Sequence, residues 1–211
     1  MVLAWHFHGT HLQYDLKHIK VETGLRLRVN NNQLKLCQYG LHASKNPIQA
    51  LEYAPALHVS RVKTSGTILT GVGKLVASVR KVVWTADATK KVLSWTANEA
   101  LSVSHLWDMP AAVEQVLCRL AVEEHVSGDD ARAAANAASA ADPVDGAYYA
   151  AFAAAHAADA ASDGNTADAA YAAYYAAYAA YYAANTTSAA YQPLRAQQAK
   201  RLHKKLMELA S

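Results

Sequence analysis

The sequence predicts a mixed α+β protein. It consists of a small strand-rich N-terminal domain, residues 1–85, and an Ala-rich antiparallel helical bundle, residues 86–211. The main observation behind this division is a change in the spacing of apolar residues along the chain. Apolar and polar residues alternate in several short runs before Trp84, whereas from Ala86 onward apolar residues recur at the helical spacing of three to four. The composition changes with it, because Ala dominates from Asp129 to Tyr191.

The charges of the chain are distributed unevenly. Residues 1–100 carry 13 Lys and Arg against 5 Asp and Glu, residues 101–192 carry 2 against 11, and residues 193–211 carry 5 against 1. Such an imbalance allows the acidic part to face the basic part, or a basic surface to meet an anionic ligand.

The composition also bears on location. No stretch is long and apolar enough to span a membrane. Met1–Trp5 lacks the basic start of a cleavable signal sequence. Two cysteines, Cys37 and Cys118, give no disulfide framework, which favours a reducing compartment. We therefore expect a cytoplasmic protein without a membrane partner.

Alternation predicts the strands of the first domain. They are Val2–Phe7, Arg26–Val29, Gln33–Cys37, His58–Lys63 and Lys74–Trp84, and Leu41–Ala43 is predicted to be the end of a further short strand. The second and third are expected to form a hairpin across three asparagines, since Asn tolerates left-handed turn positions. The fourth strand is expected to end near Ser65 and Gly66, with Thr67–Leu69 as an alternative continuation beyond the turn.

The segment Leu36–Tyr53, LCQYGLHASKNPIQALEY, combines turn, strand and helix signals with Cys, His and Ser. Gly40 suits a tight backbone position. Asn46 is a helix cap and Pro47 fits the first helical position, while Pro55 stops the helix. Chemistry often lies at such a strand-to-helix junction. The same residues are also typical of a buried turn with a hydrogen-bonded histidine.

The second domain is predicted to be a row of helices, because Asp- and Asn-rich turn signals interrupt the Ala-rich sequence at regular intervals. The predicted helices cover 87–106, 110–128, 131–141, 145–162, 167–184 and 193–210, with Gly128 ending the second. Tyr171, Tyr174, Tyr178 and Tyr181 follow one another at a spacing of 3-4-3. This spacing predicts a packing or oligomer seam, in which the Tyr rings fill gaps between Ala-rich backbones.

The last helix has one basic and one apolar face. Its basic residues are Arg195, Lys200, Arg201, Lys204 and Lys205. A solvated amphipathic helix is the ordinary interpretation of this pattern, and binding of nucleic acid or an acidic partner is the alternative.

Two further patterns bear on chemistry. His6, His8 and His11 are close enough in sequence to suggest a metal site, but the Cys or His pairs of a tetrahedral centre are missing, so we expect no metal. Cys37 and His42 could form a nucleophile and base, although no third residue is evident that would orient them.

The chain resembles a family of phage and prophage-encoded proteins without an established activity. The similarity lies in the runs LCQYGLHASKNPIQALEYAP, VSRVKTSG and KLVASVRKVVWTADAT, followed by Ala-rich helices. It covers nearly the whole chain. The resemblance implies an association with phage, either in the host cytoplasm or in the virion.

Residues 4–85 are also similar to ADP-ribosyltransferases. FHGTHL resembles the His-Gly-Thr segment of the poly-ADP-ribosyltransferases, and YGLHASKNPIQALEYA and LHVSRVKTSG resemble the segments that follow it. The resemblance implies an ADP-ribosyltransferase-like fold that binds NAD. His8 would then hold the ribose, and His42 would stand where a Tyr stacks on nicotinamide; these two would also be the catalytic candidates. The same resemblance gives Gly9, Thr10, Gly40, Ser44 and Tyr53 as further nucleotide-binding residues.

One departure from this second family concerns catalysis. The transferases carry a Glu on a late strand, and Lys74–Trp84 contains none. We therefore expect nucleotide binding more than turnover.

Two functions follow from these observations. The first is a phage-associated accessory protein whose N-terminal domain recognises NAD or ADP-ribose-like ligands, with or without transferase activity. The alternative is a non-enzymatic phage structural or host-interaction protein that assembles through its Ala/Tyr-rich helices, with a host or phage partner or with itself. A ligand-sized groove lined by His8, Thr10 and His42 favours the first function. Histidines bonded inside the fold favour the second.

Overall fold

The computed structural model describes residues 1–12, 19–140, 146–163, 168–169, 171–172, 174–175, 178 and 191–210. The chain forms two compact units, Met1–Ala88 with Met207–Ser211, and Thr89–Leu206. The predicted α+β class is confirmed, since the sheet precedes all but one of the helices in the described part of the chain.

The first unit contains an antiparallel sheet of five strands. They are β1 (Val2–His8), β2 (Arg26–Arg28), β3 (Leu41–Ala43), β4 (His58–Thr70) and β5 (Leu75–Asp87). The order is β1-β4-β5-β2, and β3 pairs with β5 beside β2. The backbones of Trp5 and Ser44 exchange hydrogen bonds of 2.7 and 2.9 Å. Since Ser44 directly follows β3, these bonds bring β3 back to β1 and close a ring through β4 and β5.

The predicted hairpin across the three asparagines is wrong. Asn31–Gln33 forms a 3-10 turn, and the side chain of Asn30 accepts a hydrogen bond of 3.0 Å from the N–H of Asn32. A tight turn then joins Lys35 to Tyr39 through a backbone bond of 2.9 Å. Asn side chains commonly bond to nearby backbone in this way, and here they replace strand pairing with local turns.

The prediction that Ser65 and Gly66 end a strand is also wrong. β4 continues to Thr70, and its pairing with β5 is shifted between Ser65 and Ile68. Gly66 has a φ of +74° in this irregularity, a conformation that favours glycine. The turn signal in the sequence is therefore a β-bulge inside a long strand.

The short helix α1 (Pro47–Leu51) forms as the focal segment predicts. Asn46 caps it, because the Asn46 side chain accepts a hydrogen bond of 2.9 Å from the N–H of Ile48. Ile48 and Leu51 are buried, and α1 lies against β1. Residues 39–51 are thereby fixed next to the sheet.

The second unit is helical. Its helices are α2 (Thr89–Leu101), α3 (Ala111–Ala121), α4 (Gly128–Ala140), α5 (Gly146–Asp163) and α6 (Tyr191–Met207), and the residues described between 168 and 178 are helical too. Gly128 begins α4 and does not end the preceding helix; this corrects the prediction. The reason is a local cap, since the Ser127 hydroxyl accepts a hydrogen bond of 3.1 Å from the N–H of Asp130. The described helices include none long and apolar enough to cross a lipid bilayer.

Small side chains form much of the interior of this unit. Val113 and Leu117 of α3 are fully buried. The core alanines of α4 and α5 are Ala131, Ala134, Ala135, Ala138, Ala153, Ala154, Ala157 and Ala158. Because a methyl group occupies little space, helix backbones can approach closely, at the cost of little apolar area per residue.

The basic face of α6 is partly neutralised within its own unit. Arg201 holds the buried carboxylate of Glu99 through two hydrogen bonds, Nε to Oε1 at 2.7 Å and Nη2 to Oε2 at 2.6 Å. Lys205 bonds to the Ser94 hydroxyl at 3.0 Å and lies 3.9 Å from Glu123. Lys200, Arg201 and Lys204 are exposed and Leu202 and Leu206 are buried, as expected of a solvated amphipathic helix. Arg201 and Lys205 in addition bind acidic and polar groups of α2 and of the turn after α3.

Candidate functional site

Polar residues lie on one face of the sheet in the first unit. On β1, His6 and His8 alternate with Trp5 and therefore project from the opposite face of the strand. Their partners on β4 are Ser60 and His58. Residues directly opposite one another share a face, so these four polar residues lie together.

Arg80 of β5 belongs to the same face. Thr64 lies four residues beyond Ser60 on β4, on the same side of the strand, and pairs with Arg80. Ser60 and Thr64 are fully buried, and Arg80 is only 4% exposed. We refer to His6, His8, His42 and Arg80 as the histidine–arginine cluster.

His8 is fixed by hydrogen bonds at both ring nitrogens. Nδ1 is bonded to the carbonyl of Gly9, and Nε2 lies 2.7 Å from the Ser60 hydroxyl, with Thr85 Oγ1 at 3.4 Å. A carbonyl can only accept, so Nδ1 carries the proton and Nε2 accepts from Ser60. Burial is the main cause that lowers the pKa of His8 to about 4, so the ring is neutral near pH 7. Ser60 is itself inaccessible, and this Ser–His pair therefore has a structural role.

His42 also uses both nitrogens within the unit. Nδ1 donates to the carbonyl of Gly40 at 3.1 Å, and Nε2 accepts from the N–H of Cys37 at 3.0 Å. Burial is the main cause that lowers the pKa of His42. The His42 carbonyl accepts a hydrogen bond of 2.7 Å from Arg80 Nη1, which ties β3 to the cluster.

His6 lies beside His8 in the cluster. Its ring stacks on that of His8 with a centroid separation of 5.2 Å. The pKa of His6 lies well below its usual value, first because of burial and then because of the charges of Arg80, His8 and His42. His6 forms no side-chain hydrogen bond with a described residue. It is the member of the cluster whose ring nitrogens remain available to a ligand.

Arg80 lies in the cluster without an acidic partner. None of the ion pairs in the described part of the chain involves Arg80, and its Nε is buried without a hydrogen-bond acceptor. Burial lowers the pKa of Arg80 to about 10, so the side chain stays charged at neutral pH. Burying a charge without a counterion is costly, and this makes Arg80 the electrostatic centre of the site.

The other residues proposed from the sequence are less closely connected to the histidine–arginine cluster. Gly9 contributes the carbonyl that orients His8, and buried Ser44 pairs with β1 through its backbone. Thr10 is exposed, with its hydroxyl 3.1 Å from His11 Nδ1. Tyr53 is 58% exposed and lies under Lys74, whose Nζ is 4.2 Å from the ring centroid.

Gly40 has a packing role in place of the expected close approach to a ligand. Its φ is +124°, and an added Cβ would overlap Cγ2 of Val76 and lie 2.6 Å from Cδ2 of Leu34. The space beside Gly40 is therefore filled by apolar side chains of the same unit.

The hypothesis of a Cys37–His42 nucleophile pair is wrong. The backbone N–H of Cys37 occupies His42 Nε2, so this nitrogen cannot take a proton from the thiol. Cys37 is exposed at a left-handed φ of +64°. The Cys37 side chain is the main cause that raises the pKa of Lys74.

The three histidines near the N-terminus have different surroundings. His6 and His8 lie in the cluster, whereas His11 is exposed and bridges to Lys20. No group of three His, Cys, Asp or Glu side chains suited to a metal ion occurs among the described residues. The positive charge of Arg80 also opposes a cation at this place.

Sequence reasoning missed Arg80 and Ser60. A signal for Arg80 was present, because Arg80 and Lys81 are adjacent in a strand, and adjacent side chains point to opposite faces. One of the two cations therefore had to point inward. Ser60 gave no comparable signal, since Ser occurs on either face of a sheet.

Comparisons of the chain with protein-family models, with curated proteins and with solved structures gave no match.

Proposed function

We propose that the first unit is a binding module for an NAD- or ADP-ribose-like ligand in a phage-associated accessory protein. One observation carries the proposal: His8 lies on the same face of the sheet as buried Arg80, and Arg80 donates a hydrogen bond of 2.7 Å to the carbonyl of His42, which is far from His8 in the sequence. The resemblance to ADP-ribosyltransferases gives the class of ligand. The positive charge of residues 1–100 favours an anionic molecule.

The roles of the two predicted histidines differ from those that the resemblance implies. Both rings are hydrogen-bonded at both nitrogens inside the unit. We therefore assign them to positioning, His8 for β1 and His42 for the carbonyl that holds Arg80. The direct contacts to the ligand fall to His6 and Arg80, which keep unused nitrogens.

Binding without turnover fits this chemistry best. Cleavage of the glycosidic bond of NAD passes through an oxocarbenium-like state, which needs a positioned carboxylate. β5 (Leu75–Asp87) contains no Glu, and its one acidic residue, Asp87, lies at the end of the strand. A neutral His8 with a pKa of about 4 is also a weak general base near pH 7.

Calorimetric titration of the full chain with NAD and ADP-ribose tests the proposal. Both ligands should bind, and adenosine should bind at least about tenfold more weakly because it lacks the pyrophosphate. The variant His6→Gln should weaken binding, whereas His105→Gln, an exposed residue of the second unit, should not. No heat of binding with either ligand at millimolar concentration would refute the proposal. Release of nicotinamide from NAD would refute the part that excludes turnover.

The internal hydrogen bonds of His8 and His42 favour the second candidate function by the criterion given in the sequence analysis, and the aromatic residues of the helical unit support it too. Tyr171 and Tyr174 are 51% and 37% exposed, on a cluster of packed rings. Exposed aromatic residues are typical of protein interfaces. This arrangement supports a phage structural or host-interaction protein that assembles through its Ala/Tyr-rich helices. Light scattering after size exclusion should then give an oligomer for the natural chain and a monomer for the double variant Tyr171→Ser, Tyr174→Ser. A monomer in both cases would exclude self-assembly.

A further inference from the structure

The guanidinium of Arg80 presents an unused pair of donors. Nη1 donates to the His42 carbonyl, but Nε has no acceptor, and Nη2 forms no hydrogen bond with a described residue. Nε and Nη2 form one edge of the planar fork that binds oxyanions through two parallel hydrogen bonds. The orientation of this edge is fixed, because Nη1, on the other side of the guanidinium, is hydrogen-bonded to the His42 carbonyl of β3.

Arg201 shows in the same chain what such an edge binds. Its Nε and Nη2 donate to the two carboxylate oxygens of Glu99 at 2.7 and 2.6 Å. Arg201 is half-exposed and has an acid, whereas Arg80 is buried and has none. The more deeply buried guanidinium is therefore the one that lacks a counterion.

The surroundings of Arg80 suit an anion from outside the chain. No ion pair of the described residues involves Arg80, and the nearby histidines are neutral near pH 7 and add no further charge. The ring nitrogens of His6 add hydrogen-bonding groups on the same face of the sheet. A phosphoryl group has several acceptor oxygens, enough to bind the Arg80 edge and His6 together.

We propose that Arg80 and His6 form a phosphoryl-binding site, with the Nε–Nη2 edge of Arg80 as its anchor. In the nucleotide-binding function proposed above, the site binds the pyrophosphate of NAD or ADP-ribose. Only this nucleotide part of the inference rests on that function. Phosphate-bearing compounds are the ligand class of the site. An anion bound there also supplies the missing counterion of Arg80, so binding stabilises the first unit.

The test uses inorganic pyrophosphate, titrated into the full chain by calorimetry, with thermal unfolding as a second measurement. Arg80→Met should weaken pyrophosphate binding at least about tenfold and abolish the thermal stabilisation. Arg80→Lys keeps the charge and loses the two-donor edge, so it should also weaken binding; it provides the answer if Arg80→Met does not fold. His6→Gln should cause a smaller loss.

Arg61→Met is the matched control. Arg61 is also a strand arginine with a buried, unpaired Nη1, but it pairs with Trp5 and stacks on that ring at 4.5 Å, on the opposite face of the sheet. This variant should change pyrophosphate affinity by less than about twofold. Equal losses for Arg61→Met and Arg80→Met, or the same stabilisation by sulfate as by pyrophosphate, would overturn the inference in favour of a general charge effect. Absence of pyrophosphate binding to the natural chain would overturn it outright.

The two proposals fail in different ways. If pyrophosphate binds through Arg80 but ADP-ribose and NAD bind no more tightly, the phosphoryl site stands and the nucleotide function falls. If ADP-ribose binds equally well to Arg80→Met and the natural chain, the nucleotide function stands and the phosphoryl site falls.

Discussion

Gly40, in the segment Leu36–Tyr53, is closely surrounded by apolar side chains. Its φ of +124° and the closeness of Val76 and Leu34 leave no room for a Cβ. Gly40→Ala should therefore lower the free energy of unfolding by roughly 2–4 kcal/mol, which combines backbone strain with overpacking.

Gly24→Ala separates these two causes. Gly24 has a φ of +91°, and an added Cβ would meet nothing within 4 Å. Backbone strain alone should cost about 1–2 kcal/mol. Urea unfolding of both variants measures the difference, and equal losses would contradict the packing role of Gly40.

His8 makes the stability of the first unit depend on pH. Its folded pKa is about 4, below the unfolded value of 6.5, so the unfolded chain binds more protons between these values. The stabilisation is complete above pH 6.5 and is lost as pH falls towards 4, by at most about 3 kcal/mol. Urea unfolding at pH 5 and pH 7 should show a smaller pH effect for His8→Gln than for the natural chain. The exposed-site variant His105→Gln should keep the full effect, and an undiminished effect in His8→Gln would contradict this assignment.

Part of the candidate site could be predicted at the scale of residues. Asn46 and Pro47 have strong local preferences, and both occupy the predicted cap and first helical position. The inward position of Arg80 could not be derived from alternation alone. The pairing of β4 with β5 shifts between Arg61 and Val62, and such a shift changes which partner each side chain meets.

At the scale of elements, long strands were harder to predict than helices. β4 and β5 have 13 residues each, and the sequence suggested shorter strands that end at turn residues. Gly66 has the same preference for positive φ in a turn and in a bulge, so its identity cannot separate the two. Pairing with β5, a long-range effect, decides in favour of the bulge.

The 3-4-3 spacing predicts that Tyr171 and Tyr174 pack between the helices. In the structure, Tyr175 is the ring that packs against its helical neighbours there. Tyr175 stacks on His156 at 5.3 Å with an interplanar angle of 5°, and its ring centroid lies 5.4 Å from that of Phe152. Tyr175 lies four residues after Tyr171 and three before Tyr178, so a stripe that includes it has a helical spacing as regular as the 3-4-3 series, and spacing alone does not separate the two. Tyr181 and Tyr182 lie outside the described residues.

Tyr175→Ala should therefore destabilise the chain by roughly 2–4 kcal/mol, because it removes a partly buried ring from the aromatic cluster. Tyr171→Ala, at a site that is 51% exposed, should cost less than about 1 kcal/mol. Urea unfolding of both variants measures the two losses. A greater loss for Tyr171→Ala would restore the spacing-based assignment.

At the scale of the whole molecule, the change of hydrophobic period predicted where the sheet gives way to helices. β5 ends at Asp87 and α2 begins at Thr89, close to the predicted boundary. The sequence did not indicate that Met207–Ser211 belongs to the first unit. Within these residues, a short 3-10 turn, Glu208–Ala210, lies against β5 of the first unit. Three residues are too few to show a period, so such contacts are decided by tertiary packing.

The alanine interior of the second unit also determines how its stability changes with temperature. Methyl groups such as those of Ala134 and Ala157 are fully or almost fully buried, but each removes little apolar surface from water. The heat capacity of unfolding depends on that surface, so its value per residue should fall below the usual value of about 12–15 cal/mol/K. A small heat capacity flattens the curve of free energy against temperature. Scanning calorimetry should therefore show a helical unit whose stability varies little between cold and warm conditions.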